Sequence, residues 1–172
     1  MASYTPVVIA PPKQALVVGV ADMIASNLSN AELITYSLGS CLGVMLYDPV
    51  KRVGGLLHIM LPTSSIDPAK AASRPFMFVD TGVPRLFHAV YGLGGDKSRL
   101  LVKVAGGAQF LDEKKIFNIG QRNTQSLREL LAKNGVVANA MDVGGVNSRT
   151  VRMKLDTGDV SIQSPGQTTY LI

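Results

Sequence analysis

Two short apolar runs, Val44-Met45-Leu46-Tyr47 and Leu56-Leu57-His58-Ile59-Met60-Leu61, stand one turn apart, and no other feature restricts the fold as much. Asp48-Pro49 closes the first run, Val50 to Arg52 cross the turn, Gly54-Gly55 loosen the re-entry and Pro62 stops the second. Runs this short and this apolar read as buried strands. So short a link makes them antiparallel neighbours. The start of the first strand then lies beside the end of the second. That places Cys41, the only cysteine, next to His58, one of two histidines. Ser37, Gly39 and Ser40 precede the cysteine and Gly43 follows it, residues that let a backbone bend sharply and be approached closely.

A thiol beside an imidazole suggests a nucleophile. The thiolate is the reactive form, and a neighbouring imidazolium can pull a thiol pKa from about 8.5 to well below 7. A lowered pKa at Cys41 is therefore expected. On the residues alone a second reading stays open, in which Cys41 is a small buried hydrophobe and His58 a satisfied core histidine. The bend of Gly and Ser before Cys41 favours the nucleophile, because a buried structural cysteine needs no such approach. Gly39-Ser40-Cys41-Leu42-Gly43 has the spacing of a hydrolase nucleophile elbow, but that motif needs a helix after the nucleophile, and a strand is expected here. No phosphate-binding glycine loop is present.

Around this pair the chain reads as strands at 14–20 and 33–36, with a loop or helical turn at 21–30 between them. A connecting loop at 63–74 follows the His58 strand and is expected to wall the site. A helix capped by Asp80, with Pro84 in its first turn, carries the stripe Val83, Leu86, Phe87 and Val90. His88 lies beside that stripe and is expected on the surface. A strand at 100–105 runs into Gly106-Gly107. A second helix, capped by Asn123, carries Leu127, Leu130 and Leu131 and stops at Asn134-Gly135. Residues 136–143 read as a strand, and 150–155 with 160–163 as a hairpin. Paired strands with few intervening helices argue for an α/β layered sandwich of largely antiparallel or mixed β-sheets with helices packed outside.

At 172 residues with 47% hydrophobic and 17% charged residues, the composition suits one globular domain, expected over 14–172 behind a loose lead at 1–13. One cysteine makes no internal disulfide, and with two histidines it is a poor zinc set, so no metal or cofactor is expected. No signal core and no run near the ~20 residues of a membrane span is seen. A cytoplasmic protein without membrane insertion is expected. The net charge of +5 comes from scattered bases, including Lys114-Lys115 and Arg149 with Arg152 and Lys154. There is no Trp and no concentrated basic face with interleaved aromatics, which argues against a nucleic-acid partner.

The segments Thr35-Tyr36-Ser37-Leu38-Gly39-Ser40-Cys41, Tyr47-Asp48 and Gly54 to Pro62 resemble the chemoreceptor glutamine deamidases of bacterial chemotaxis, the CheD family. The likeness continues through Val79-Asp80, Lys103 to Ala108, Ile119 to Asn123 and Asp142 to Gly145. It implies a similar layered α/β fold. It also implies a Cys nucleophile, His and Thr at Cys41, His58 and Thr35. The turn of Gly39 and Ser40 into Cys41 is expected to aim backbone N–H groups at the oxyanion. The implied reaction converts glutamines of a chemoreceptor cytoplasmic domain to glutamates through a Cys thioester, with possible methyl-ester hydrolysis and binding of a CheC-type phosphatase. The family usually has Gly where this chain has Ser37 and Ser148, and often Tyr where it has Phe78. Two rival functions stay open: a binding protein of the chemotaxis array with weak or lost catalysis, for which Ser37 is the hint, and a thiol-dependent hydrolase of small amides.

Overall fold

A computed structural model describes residues 14–109 and 118–171; the expected lead at 1–13 and Lys114-Lys115 lie outside the described residues. In chain order the elements are β1 (Gln14–Val17), β2 (Met23–Ser26), β3 (Ala31–Leu38), β4 (Leu42–Asp48), β5 (Val53–Ile59), α1 (Pro68–Ser73), α2 (Val79–Gly92), β6 (Leu101–Gly106), α3 (Ile119–Lys133), β7 (Ala140–Val143), β8 (Arg149–Lys154), β9 (Val160–Ser164) and β10 (Gln167–Leu171). The strands form two five-stranded mixed sheets, β1-β3-β8-β9-β10 and β2-β5-β4-β6-β7. Within them β1 runs parallel to β3 and β6 parallel to β7, and the other pairs are antiparallel. The α/β sandwich of mixed sheets expected from the strand pattern is the one observed.

The second sheet is the middle layer, which is why β4 and β5 are buried along their whole length. Leu42, Val44 and Leu46 of β4 and Val53, Leu57 and Ile59 of β5 pack with Val83, Leu86 and Val90 of α2 and Leu127 and Leu131 of α3. The intervening Met45, Tyr47 and Leu56 pack with Leu33, Val151, Met153 and Ile162 of the first sheet. A strand covered on both faces needs no polar alternation, so it reads as a continuous apolar run. The β4–β5 hairpin is the expected one, paired from Leu42↔Ile59 to Asp48↔Val53. Gly54 and Gly55 lie inside β5 and do not loosen its entry. A side chain at Gly54 would strike Met153 of β8 and Leu155 just past it, and one at Gly55 would strike Leu86 and Val90 of α2.

Several local expectations are corrected. The segment 21–30 holds the edge strand β2, which pairs with β5. The loop at 63–74 holds a 3₁₀ turn and α1, the latter capped by the Asp67 carboxylate on the Lys70 N–H. Asp80 is not the cap of α2: it sits in the first turn, and its carboxylate accepts from the Ser64 N–H and hydroxyl, fixing the stretch beyond His58. Only 140–143 of the expected 136–143 strand is extended, and β10 went unread because its residues are short, polar and largely exposed.

The hairpin turn is locked by Asp48, buried at the end of β4. Its carboxylate accepts from the N–H groups of Val50, Lys51 and Asp96 and from the Arg99 guanidinium at 2.7 Å. Burial by itself would raise this carboxyl, but Arg99 and the three N–H groups outweigh it and hold the pKa at about 2. A depressed folded pKa contributes stability that is complete above the unfolded value and is lost as pH falls toward 2. Asp48→Asn is expected to cost about 2–3 kcal/mol at neutral pH, the scale of lost charge-assisted bonds. Urea unfolding across pH should show the gap between wild type and variant shrinking from about pH 4 downward. A gap independent of pH would contradict this account of the turn.

Candidate active site

Sequence alternation decides which residues meet. On β4 the odd-numbered residues face the first sheet, and continuing that alternation by one residue puts Cys41 on the same side, where it packs against the inter-sheet cluster. His58 lies opposite Gly43 in the β4–β5 ladder and shares its face. The last paired rung is Leu42↔Ile59, so Cys41 stands one residue beyond the ladder, at the end of β5 that carries His58. Gly43 carries nothing between them; a side chain there would meet Leu38 and Thr35. The expected juxtaposition of Cys41 with the His58 strand therefore follows from the observed register.

Thr35 comes from the other sheet. It is fully buried on β3 and its Oγ1 lies 2.8 Å from His58 Nδ1 and 2.9 Å from the Val18 carbonyl oxygen. The hydroxyl has one hydrogen, and a backbone carbonyl can only accept. That hydrogen goes to Val18, so Oγ1 must accept from His58 Nδ1–H. The imidazole is held as the Nδ1–H tautomer, leaving the Nε2 lone pair free. Nε2 is buried and has no protein partner in the described structure. The turn that supplies Val18 also supplies the Asp22 carbonyl, which accepts the His58 N–H at 3.0 Å. Thr35 and His58 are both braced by the segment 18–22.

Burial acts on the two reactive groups in opposite senses. It pushes the half-buried Cys41 thiol up, offset in part by the residue's own backbone N–H, and it pushes the His58 imidazole down to about 4. The lowered thiol pKa expected from sequence is not what the site provides. Desolvation penalises both charged forms, which favours the neutral thiol and the neutral imidazole.

Gly39 and Ser40 form the turn before Cys41, and three successive carbonyls of it are tied down. Gly39 accepts from the Ala108 N–H at 2.8 Å, Ser40 from Asn123 Nδ2 at 3.0 Å, and Cys41 from the Gly107 N–H at 2.8 Å. In a trans peptide the N–H opposes the preceding carbonyl, so the Ser40 and Cys41 N–H groups point away from these anchors. Gly106, at φ 114°, is where the strand can come so close: a side chain there would collide with the Cys41 carbonyl.

One correction concerns this neighbourhood. Asn123 does not cap α3, which begins after Asn118; it is inside the helix and fully buried, and it reaches the Cys41 turn. Nothing local marks it, since Asn near a helix start normally reads as a cap. Ser37 lies in a bulge of β3 between Thr35 and Leu38, exposed and at φ 56°. A left-handed residue there is what glycine supplies without strain, so serine keeps the bend at an energetic cost of roughly 1 kcal/mol. His88 is exposed on α2, as expected, and stacks edge-on with Tyr91.

A model of the family described as CheD chemotactic sensory transduction matches residues 60–164. A probable chemoreceptor glutamine deamidase CheD 1 of Syntrophus aciditrophicus is 48% identical over 151 residues, spanning 88% of this chain and 94% of the relative. Probable chemoreceptor glutamine deamidases CheD of Solibacter usitatus and Desulforamulus reducens are 44% and 46% identical, each covering 93% of its own length and 91% and 90% of this chain.

The tautomer is directly measurable. In ¹⁵N-edited spectra His58 should show a protonated Nδ1 and a bare Nε2, titrating well below the unperturbed value of about 6.5. A protonated Nε2, or a titration at or above 6.5, would contradict the assignment. The sign of the accompanying stability change is fixed: an imidazole harder to protonate when folded costs stability as pH falls from about 6.5 toward 4.

Proposed function

The chain belongs to the CheD family, and we propose that it deamidates glutamine side chains of chemoreceptors with Cys41 as nucleophile, His58 as general base and Thr35 as the residue that orients the base. The observation that carries this reading is the Thr35 hydroxyl between the Val18 carbonyl and His58 Nδ1, which leaves a bare Nε2 on the face that Cys41 shares. An imidazole held this way is a base and not a donor.

The steps follow from a neutral pair. His58 Nε2 takes the Cys41 proton as the sulfur attacks the side-chain carbonyl carbon of glutamine, forming the S–C bond. The oxygen becomes an oxyanion, which the Ser40 and Cys41 N–H groups are oriented to receive; in other enzymes one such donor is worth about 3–4 kcal/mol. The C–N bond breaks, His58 returns its proton to the departing nitrogen, and ammonia leaves a thioester on Cys41. Water then gives a proton to His58 and its oxygen to the acyl carbon. Collapse breaks the C–S bond, frees glutamate and restores the thiol. Burial keeps the resting imidazole neutral and able to accept; it is an imidazolium only between taking up a proton and returning it, and Thr35 Oγ1 accepts from it throughout.

The same reading puts the protein in the cytoplasm, where a lone thiol stays reduced; among the described residues no helix is long and apolar enough to cross a membrane. Residues 14–172 act as one catalytic domain, with the chemoreceptor cytoplasmic domain as substrate and a CheC-type phosphatase as a further partner. Ser37 argues weakly for a binding protein with faded catalysis, since it retains the glycine-like backbone at its position.

Incubation with chemoreceptor cytoplasmic fragments, followed by peptide mass spectrometry, tests the function. Glutamine should become glutamate in wild type and not in Cys41→Ala, with the variant still folded. Full turnover in Cys41→Ala ends the covalent mechanism. Thr35→Ser should keep most activity, whereas Thr35→Val should lose tenfold or more, because a hydrogen bond to a developing charge is worth roughly 1.5–3 kcal/mol. Wild-type turnover in Thr35→Val removes Thr35 from the mechanism.

A further inference from the structure

The β4–β5 ladder stops at Leu42↔Ile59. Continued by one step it would pair Cys41 with Met60, but the strands divide there. The Met60 and Leu61 N–H groups both turn to the Met77 carbonyl, each at 3.0 Å. On the other branch the Cys41 carbonyl turns to Gly107. A fork opens between the nucleophile's turn and the end of the strand that carries His58.

A side chain bridges that fork. Asn123, from the first turns of α3, gives its Nδ2 hydrogens to the Ser40 carbonyl at 3.0 Å and the Met60 carbonyl at 2.9 Å. It is completely buried, and its Oδ1 has no partner in the described structure. The reversed amide would set Oδ1 against two carbonyl oxygens, so its orientation is determined by what it holds. Leaving a carbonyl oxygen unsatisfied in the interior is unfavourable, and the site tolerates it in return for the two donors. Ser126, one turn further on the same helix, donates to the Pro62 carbonyl at 2.7 Å, a bond to the His58 branch. The two residues thus separate anchoring α3 from bridging the fork.

We propose that Asn123 is a positioning residue for the reaction, its carboxamide setting the Cys41 turn against the His58 strand and, by holding the Ser40 carbonyl, aiming the Cys41 N–H at the substrate oxygen. The role rests on Cys41 and His58 acting as nucleophile and base. It explains why a polar side chain with an unpaired atom occupies a fully enclosed place between two strands. A hydrophobic residue there would fill space without joining the branches.

The test compares Asn123→Ala and Ser126→Ala on receptor fragments, with Cys41→Ala alongside. Asn123→Ala is expected to lower kcat at least tenfold with KM within about threefold, and to shift the Cys41 backbone amide signal in ¹⁵N spectra. Ser126→Ala should leave kcat and that signal close to wild type. Wild-type kcat in a folded Asn123→Ala, or an equal loss in Ser126→Ala, overturns the positioning role. If Cys41→Ala is inactive while Asn123→Ala is fully active, only this inference falls; full activity in Cys41→Ala overturns the reading beneath it. Should Asn123→Ala fail to fold, wild-type protein decides: alkylation of Cys41 should move the Asn123 side-chain amide signals, and unmoved signals contradict the bridge.

Discussion

Strands β4 and β5 are covered by helices on one face and by a second sheet on the other, so any polar side chain they carry must find its partner inside the protein. His58 meets that demand through Thr35, which reaches across from the opposing sheet and passes its own hydrogen to Val18. The same enclosure explains the state of the reactive pair. Burial disfavours the imidazolium and the thiolate alike. Thr35 is a weaker partner for an imidazolium than Asp would be, but it imposes the tautomer at no cost of a buried charge. The tie also joins the two sheets at the edge of their common core.

The fork at Leu42–Ile59 is where this closed layer becomes accessible. Inside the ladder β4 is paired with β5 on one side and β6 on the other, and β5 with β4 and β2. Past it, the carbonyls of Gly39, Ser40 and Cys41 are taken by Ala108, Asn123 and Gly107, which leaves the opposite edge of the turn available. Gly106 and Gly107 permit the approach, both at positive φ and both in contact with the Cys41 branch. The glycines that flank the site are therefore spacing elements between strands and turn, and the Asn123 side chain spans the gap.

How much of this is visible in the chain depends on how local each cause is. The hairpin was legible because its apolar runs are bounded by Asp48-Pro49 and Pro62, and register then carried Cys41 toward His58. The stripe of α2 was legible for the same reason, its period being set by the helix itself. Asn123 was misread because a local capping rule fits it, while its actual partners, Ser40 and Met60, lie on distant segments. Val18 contributes only a backbone oxygen, which no residue type announces. The protonation of Cys41 was expected in the wrong direction, since a neighbouring histidine predicts a thiolate only if that histidine can be charged, and its burial was not readable from spacing.

The mechanism we propose needs a neutral thiol–imidazole pair with an oriented lone pair, in place of a preformed thiolate. The thiolate's ultraviolet absorbance, followed against pH as the difference between wild type and Cys41→Ala, measures this with no substrate present. The account expects the signal to be absent at neutral pH and to rise only above the free-thiol value of about 8.5. A thiolate already formed at pH 7, disappearing in His58→Ala, would mean an ion pair at rest and would contradict it.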